Sequence, residues 1–250
     1  MKTIQILKNK GIVTLFRMGA RKYIVPYIST PCCFLKILFL KLDFIKLKNH
    51  DSLIEFAYKT CWGYLKPMQI KSEISSLMKV IEKEKPKILM EIGTARGGTL
   101  FLFSRVMPKG SVIFSLDLPK GHFGGGYPFF KIPLYKLFAK NEQKINLIRA
   151  NSHLGQSLKI IKRLLNNKKI DFLYIDGDHT YDGVKKDFGL YAPLVRRGGS
   201  IAFHDINKHR TVPTCQVDKL WNEIKTKYNS KELIENKNEG WGGIGILKVK

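Results

Sequence analysis

Acidic residues are scarce. The 250-residue chain carries 20 Asp and Glu against 44 Lys and Arg, a formal net charge of +24. An excess of that size attracts polyanions such as nucleic acid, anionic lipid headgroups or acidic glycans, unless it reflects a lysine-rich proteome. Cysteine is scarce too. Cys32, Cys33, Cys61 and Cys215 lack the spacing of a zinc or disulfide framework, so a reducing cytosol is the expected compartment. The stretch "MKTIQILKNKGIVTLFRMGARK" has scattered basic residues and no clean apolar h-region, which argues against a signal peptide. No long apolar run is free of charge either. "CCFLKILFLKLDFIKLK", residues 32–48, is interrupted by Lys36, Lys41, Asp43 and Lys46, too often for a spanning helix. Two roles stay open for it. It lies in a membrane interface, with residues 1–60 meeting an anionic surface on the inner face of a membrane, or it packs as an amphipathic helix on its own domain or on a second subunit. No internal repeat or low-complexity tract is present, so a solenoid is not expected.

The 44% of hydrophobic residues supports one sizeable core and a small extra segment. Residues 1–66 read as a basic, mainly helical extension, and 67–250 as the main domain. Ile70, Ile74, Leu77, Met78 and Ile81 fall at helical spacing, and Pro86 ends that helix. Strands and helices then alternate. "KILMEIG", "SVIFSLDL", "INLIRAN", "IDFLYID" and "GSIAFHD" read as buried strands, and "KELIEN" and "WGGIGILKV" as two late ones. Helices are predicted over 98–106, 154–167, 181–195 and 217–228. Apolar strands with helical crossovers mean a parallel sheet covered on both faces. Ligands in such sheets bind at the carboxyl ends of the strands. Here those ends carry Glu91, Asp117, Asn151, Asp176, His204 and Asp205.

"EIGTARGGT", residues 91–99, joins the first strand to a helix. Gly93, Gly97 and Gly98 miss the one–three–six spacing of a dinucleotide loop. Asp117, ending the second strand, places a carboxylate where a ribose diol would sit. Together with "IDGDHTYDGVKKDFGLYAPLVRRGGSIAFHDI" and "GWGGIGILK", these features make residues 68–250 resemble the class I S-adenosylmethionine-dependent methyltransferases, in a branch whose fourth strand ends in Asp-Gly-Asp-His and fifth in His-Asp. The resemblance implies a Rossmann-like α/β fold with a seven-stranded, mostly parallel sheet, its last strand antiparallel. It also implies that Glu91, Gly93 and Thr94 line the methionine side of the cofactor, that Asp117 holds the ribose, and that Asn151 and Ser152 flank the adenine. Many relatives have Asp where this chain has Asn151, whose side-chain carbonyl still accepts from an adenine amino group.

In this fold the ends of the fourth and fifth strands are neighbours. Asp176, His204 and Asp205 are therefore candidate ligands of a divalent cation, magnesium or manganese, that would activate and aim an acceptor hydroxyl. The arrangement resembles metal-dependent O-methyltransferases of the catechol and macrolide-sugar type. His204 stands where those enzymes carry an acid, and a histidine points to a softer ion, a non-ligand role or no metal. His179, three residues after Asp176, falls at the offset of the base proposed in the macrolide-sugar enzymes. Asp178 is a weaker candidate, and Asp182 reads as a helix-start acid.

Residues 118–138 form a glycine- and aromatic-rich insert. Gly124–Gly126 are placed to hinge a lid, and Tyr127 and Phe129 to stack on a sugar or base. Phe130, Leu134, Leu137 and Phe138 are expected to pack in the core, while His122 and Lys131 carry no reading. The expected activity is O-methylation of a small-molecule or glycan hydroxyl. A nucleic-acid methyltransferase is the rival suggested by the charge, although no Asn-Pro-Pro-Tyr-like motif or RNA-binding module is present. A cofactor-binding or membrane-associated protein without turnover is the other alternative.

Overall fold

The computed structural model describes residues 25–41, 46–47, 49–119, 126–140 and 142–250. The expectations for residues 1–24, for Asp43 and His122, and for Gly124 and Gly125 as a hinge lie outside the described residues.

The first helix, α1 (Val25–Lys41), buries Cys33, Ile37 and Leu40 and exposes Leu35, Lys36 and Phe39. That four-then-three spacing is one stripe of an amphipathic helix, and the stripe joins the core of this same chain. α2 (His50–Gly63) starts on a capping box in which Ser52 N–H donates to Asn49 Oδ1 at 2.9 Å and Asn49 N–H to Ser52 Oγ at 3.1 Å. α3 (Lys71–Glu84) buries Ile74, Leu77, Met78 and Ile81 on the predicted face, and it stops at left-handed Lys85 before Pro86.

The alternating part follows in order: β1 (Ile88–Ile92), α4 (Gly98–Val106), β2 (Val112–Asp117), a 3-10 turn (Phe129–Lys131) running into α5 (Ile132–Leu137), β3 (Lys144–Arg149), α6 (Gly155–Leu165), β4 (Ile170–Ile175), α7 (Tyr181–Tyr191), β5 (Val195–His204), α8 (Val217–Ile224), β6 (Asn229–Leu233) and β7 (Ile244–Lys248). The seven strands form one sheet in the order β3-β2-β1-β4-β5-β7-β6. All pairs are parallel except those made by β7, which runs antiparallel between β5 and β6. This is the Rossmann-like, seven-stranded class I methyltransferase architecture expected from the sequence. The late strand falls at 229–233, earlier than the "KELIEN" run, and α7 and α8 give way to 3-10 turns before their predicted ends.

Side chains alternate along each strand, so neighbouring residues feed opposite layers. Leu89, Ile113, Phe172 and Tyr174 face α1–α5, while Met90, Phe114, Leu173 and Ile175 face α6–α8. Each such aliphatic or aromatic burial contributes about 1.5–3 kcal/mol. Tyr174 meets Phe103 of α4 edge-on with ring centroids 5.4 Å apart, fixing the layer behind β4. Residues of α1 and α2 share this layer with α4, so the basic N-terminal helices and the sheet have a common core.

Candidate active site

The crossover after β1 leads to β2 on one side, and the chain later returns to β4 on the other. The carboxyl ends of β1 and β4 therefore flank the switch point of the sheet, where a crevice opens. Gly93 turns the chain there with φ 94°, and a Cβ on it would lie 2.0 Å from the carbonyl oxygen of Asp176. Only glycine fits.

A cleft of about 820 Å³ opens at this point, and Gly93, Asp117, Asn151, Ser152, His153 and Asp176 are among its walls. A smaller hollow of about 30 Å³ adjoins it and is lined by Lys66, Gln69, Thr94 and Arg96. Gly93 and Asp176 line both.

Asp117 ends β2. Its Oδ2 accepts the backbone N–H groups of Thr94 and Ala95 at 3.1 and 2.8 Å, which locks the β1 loop onto β2. Burial pushes its carboxyl up to about 6 despite those donors. Glu91 lies behind the loop. It is fully buried, its Oε2 accepts from the Thr99 hydroxyl at 3.0 Å, and it lines neither hollow. Burial pushes its carboxyl up to about 8, so it is protonated at neutral pH. The Thr94 side chain also turns inward, to the Ser115 hydroxyl. Asn151 faces the cleft, but its Oδ1 accepts the N–H of His153 at 2.8 Å. The oxygen expected to meet an adenine amino group thus already serves a local turn. The Ser152 carbonyl accepts from the Tyr191 hydroxyl at 2.8 Å.

The fourth and fifth strand ends come together as the sequence predicts. Asp176 Oδ1 lies 3.0 Å from His204 Nδ1 and 3.3 Å from His179 Nε2. Asp205 Oδ2 lies 3.0 Å from His179 Nδ1 and 3.5 Å from His204 Nδ1. Two carboxylates thus enclose two imidazoles. Asp205 has a left-handed backbone, φ 59°, and its Oδ1 accepts the Gly242 N–H at 3.0 Å. Such a conformation costs on the order of 1 kcal/mol in a non-glycine residue, and here it turns the carboxylate inward.

Burial alone would lower the imidazoles and raise the carboxylates, but the mutual ion pairing reverses both. Asp176 and Asp205 hold His179 up at about 12, and Asp205 and Asp176 hold His204 at about 9. The two imidazoles in turn keep Asp176 below the usual carboxylate range and Asp205 further below. Both ring nitrogens of His179 face carboxylates. That is the environment of an imidazolium, not of the free neutral base the sequence suggested. Asp178 instead forms a turn ahead of α7, accepting the Thr180 N–H at 2.9 Å and the Thr180 hydroxyl at 2.8 Å, while Thr180 itself caps the helix.

Three residues complete the site without having been singled out in the sequence. Gln69 Nε2 donates to Asp176 Oδ2 at 2.7 Å. Cys215 Sγ lies 3.9 Å from His179 Nδ1, and among the described residues His179, Asp205 and Cys215 are the set whose ligating atoms converge within 4.8 Å. His153, on the cleft wall, has Nε2 3.4 Å from Oδ1 of the fully buried Asp187. Within the insert, Leu134 and Phe138 are buried as expected, but Phe130 is exposed and Tyr127 is enclosed against Tyr135.

Comparison with known proteins agrees with this geometry. The family described as "Methyltransferase domain" matches residues 90–206, the stretch from β1 to just past the end of β5. Over that stretch the chain is similar to the family, and its fold is the seven-stranded Rossmann-like one described above. It is 30% identical over 154 residues to an uncharacterized protein of Acanthamoeba polyphaga mimivirus, covering 56% of this chain and 62% of that one. It is 28% identical over 181 residues to tapetum-specific methyltransferase 1 of Arabidopsis thaliana, covering 66% and 71%. The solved O-methyltransferase from Bacillus cereus, in complex with SAH, superposes with a TM-score of 0.55 at 16% identity, covering 82% of this chain and 94% of that one. The chain spans under two thirds of the viral relative's length.

Proposed function

We propose that the protein transfers a methyl group from S-adenosylmethionine to a hydroxyl oxygen of a small-molecule or glycan acceptor. One observation carries this reading: Asp176, held at Oδ1 by His179 and His204 and at Oδ2 by Gln69, lines both the large cleft and the small hollow. When bound, S-adenosylmethionine supplies an electrophilic methyl on a sulfonium. The residues fit that cofactor. A cleft of about 820 Å³ has the size of a cofactor site, a buried carboxylate, Asp117, stands at the ribose position, and Gly93 keeps the wall free of a side chain. Asn151, Ser152 and His153 would flank the adenine. Lys66 and Arg96 would take the amino-acid end, with Glu91 supporting the loop from behind.

Asp176 is assigned to orient the acceptor hydroxyl and take up its proton. An oxygen that is being methylated becomes far more acidic than a carboxylic acid, so a weak base suffices and positioning dominates. His179 and His204 serve this role by holding Asp176 ionised and fixed. A magnesium or manganese ion would find two carboxylates interleaved with imidazoles and a thiol, a donor set that does not suit those ions, and no step is assigned to one. The converging set His179, Asp205 and Cys215 is of the kind zinc selects.

The test is methyl transfer by the purified protein to panels of sugars, phenols and RNA, read as methylated product and S-adenosylhomocysteine. Transfer to a hydroxyl of a small molecule or sugar is expected. Transfer to RNA alone, or cofactor binding with no transfer to any acceptor, would overturn the reading.

A further inference from the structure

The last turn of α2 has left-handed backbone at Cys61, φ 48°, and Trp62, φ 60°, before Gly63 at φ 74°. For a bulky aromatic this is an outlier that costs on the order of 1–2 kcal/mol per residue. The turn leaves Trp62 73% exposed. Strain that pushes an indole into solvent gives nothing to the core.

Other apolar side chains gather at the same junction. Cys61 Sγ lies 2.8 Å from Cys32 Sγ, so Trp62 stands beside the α1 turn that precedes the exposed Leu35 and Phe39. Tyr64, two residues on, bonds Thr30 of α1 through its hydroxyl and carries Lys131 Nζ 4.1 Å over its ring. Lys131 closes the 3-10 turn that exposes Phe129 by 73% and Phe130 by 55%. Met68, also exposed, lines the small hollow, so this surface borders the mouth of the site.

The segments that carry these residues bear charge of one sign, although Glu55 of α2 pairs with Lys71. The segments 25–41, 62–71 and 126–140 contain no aspartate or glutamate, while Lys36, Lys41 and Lys66 are exposed among the apolar groups. We propose that this face docks on an anionic phospholipid surface. Trp62, Phe129 and Phe130 would enter the headgroup boundary, and the lysines would meet lipid phosphates. A second copy fits worse, because a two-fold contact would set these lysines against themselves. RNA would use the aromatic rings but leave the aliphatic Leu35 without a purpose. The docking does not depend on the methyl-transfer reading.

Flotation of the full chain with phosphatidylcholine vesicles, with and without phosphatidylglycerol, tests it. Binding is expected only to the anionic vesicles, weakened about tenfold by the combined Trp62→Ala and Phe129→Ala changes. Brominated phosphatidylglycerol should quench the emission of the wild type, and Trp62→Phe should abolish that quenching while binding is retained. Binding to anionic vesicles that ignores the aromatic changes would reduce the effect to bulk charge and overturn the proposal. So would tighter binding to RNA that depends on Trp62, or Trp62 emission already shielded from iodide in the lipid-free protein.

Discussion

The side-chain amide of Gln69 donates to Asp176 Oδ2 at 2.7 Å across 107 residues of sequence. It ties the segment ahead of α3 to the end of β4. Removing the donor leaves that oxygen to rotate or to be met by water, without touching the ribose side of the cleft. Gln69→Leu is therefore expected to lower kcat about tenfold, roughly the loss of one hydrogen bond to a charged group, with cofactor affinity within about twofold of wild type. Isothermal titration with S-adenosylhomocysteine and single-turnover kinetics separate the two. Equal losses in both would place Gln69 in cofactor binding.

Much of the candidate site's geometry was legible because strand ends announce themselves. Asp117, Asp176, His204 and Asp205 each follow an apolar run, and parallel β topology then forces the ends of β4 and β5 together. What was not legible depends on long-range partners. Gln69 sits in an unremarkable turn before a helix, and Cys215 lies in a loop whose path back to His179 no periodicity predicts. The state of His179 was hidden for the same reason. Its offset from Asp176 is local, but the carboxylate that takes its second nitrogen is 26 positions away at Asp205. Phe130 misled in the opposite direction, since an aromatic run reads as core although its 3-10 turn faces outward.

The pH dependence of turnover distinguishes a held imidazolium from a free base. With His179 at about 12 and Asp176 below the ordinary carboxylate range, neither changes charge between pH 6.5 and 8.5, and His204 loses its proton only near 9. At saturating cofactor, kcat is expected to be level across roughly pH 6.5–8.5 and to fall above about 9, as Asp176 loses a partner. A rising limb centred near the ordinary histidine value would restore His179 as the base.

Asp117 is poised differently. Its carboxyl titrates near 6, and only the ionised form accepts hydrogen bonds from two sugar hydroxyls at once. Affinity for S-adenosylhomocysteine should weaken as pH falls from 7 to 5. Asp117→Asn should bind at least about tenfold more weakly at pH 7 and lose most of that pH dependence. Unchanged affinity in the variant would remove the ribose assignment.

Zinc provides a check on the cluster. An ion held by His179, Asp205 and Cys215 would draw His179 away from Asp176. Micromolar zinc is expected to inhibit turnover, with reversal by chelator and relief in Cys215→Ser. Dialysis against chelator alone should leave activity intact. Loss of activity on dialysis, restored by magnesium, would contradict the assignment of the proton to Asp176 without a metal.

Glu91 makes a stability prediction that is independent of substrate. Its folded-state carboxyl is raised to about 8 because burial disfavours the anion, against roughly 4.3 in an unfolded chain. Between those values the folded protein holds a proton that the unfolded chain has released, so the contribution of Glu91 to stability falls as pH rises. Below about pH 4 the effect vanishes, and above about 8 it is complete. Glu91→Gln keeps an oxygen for the Thr99 hydroxyl and removes the ionisation. Its Tm should sit close to wild type at pH 5 and exceed it increasingly toward pH 9, as read by differential scanning calorimetry in matched buffers. A wild-type Tm that holds level or rises relative to the Gln variant over that range would mean that Glu91 is ionised and paired in the folded state, and so contradict the buried, protonated carboxyl behind the β1 loop.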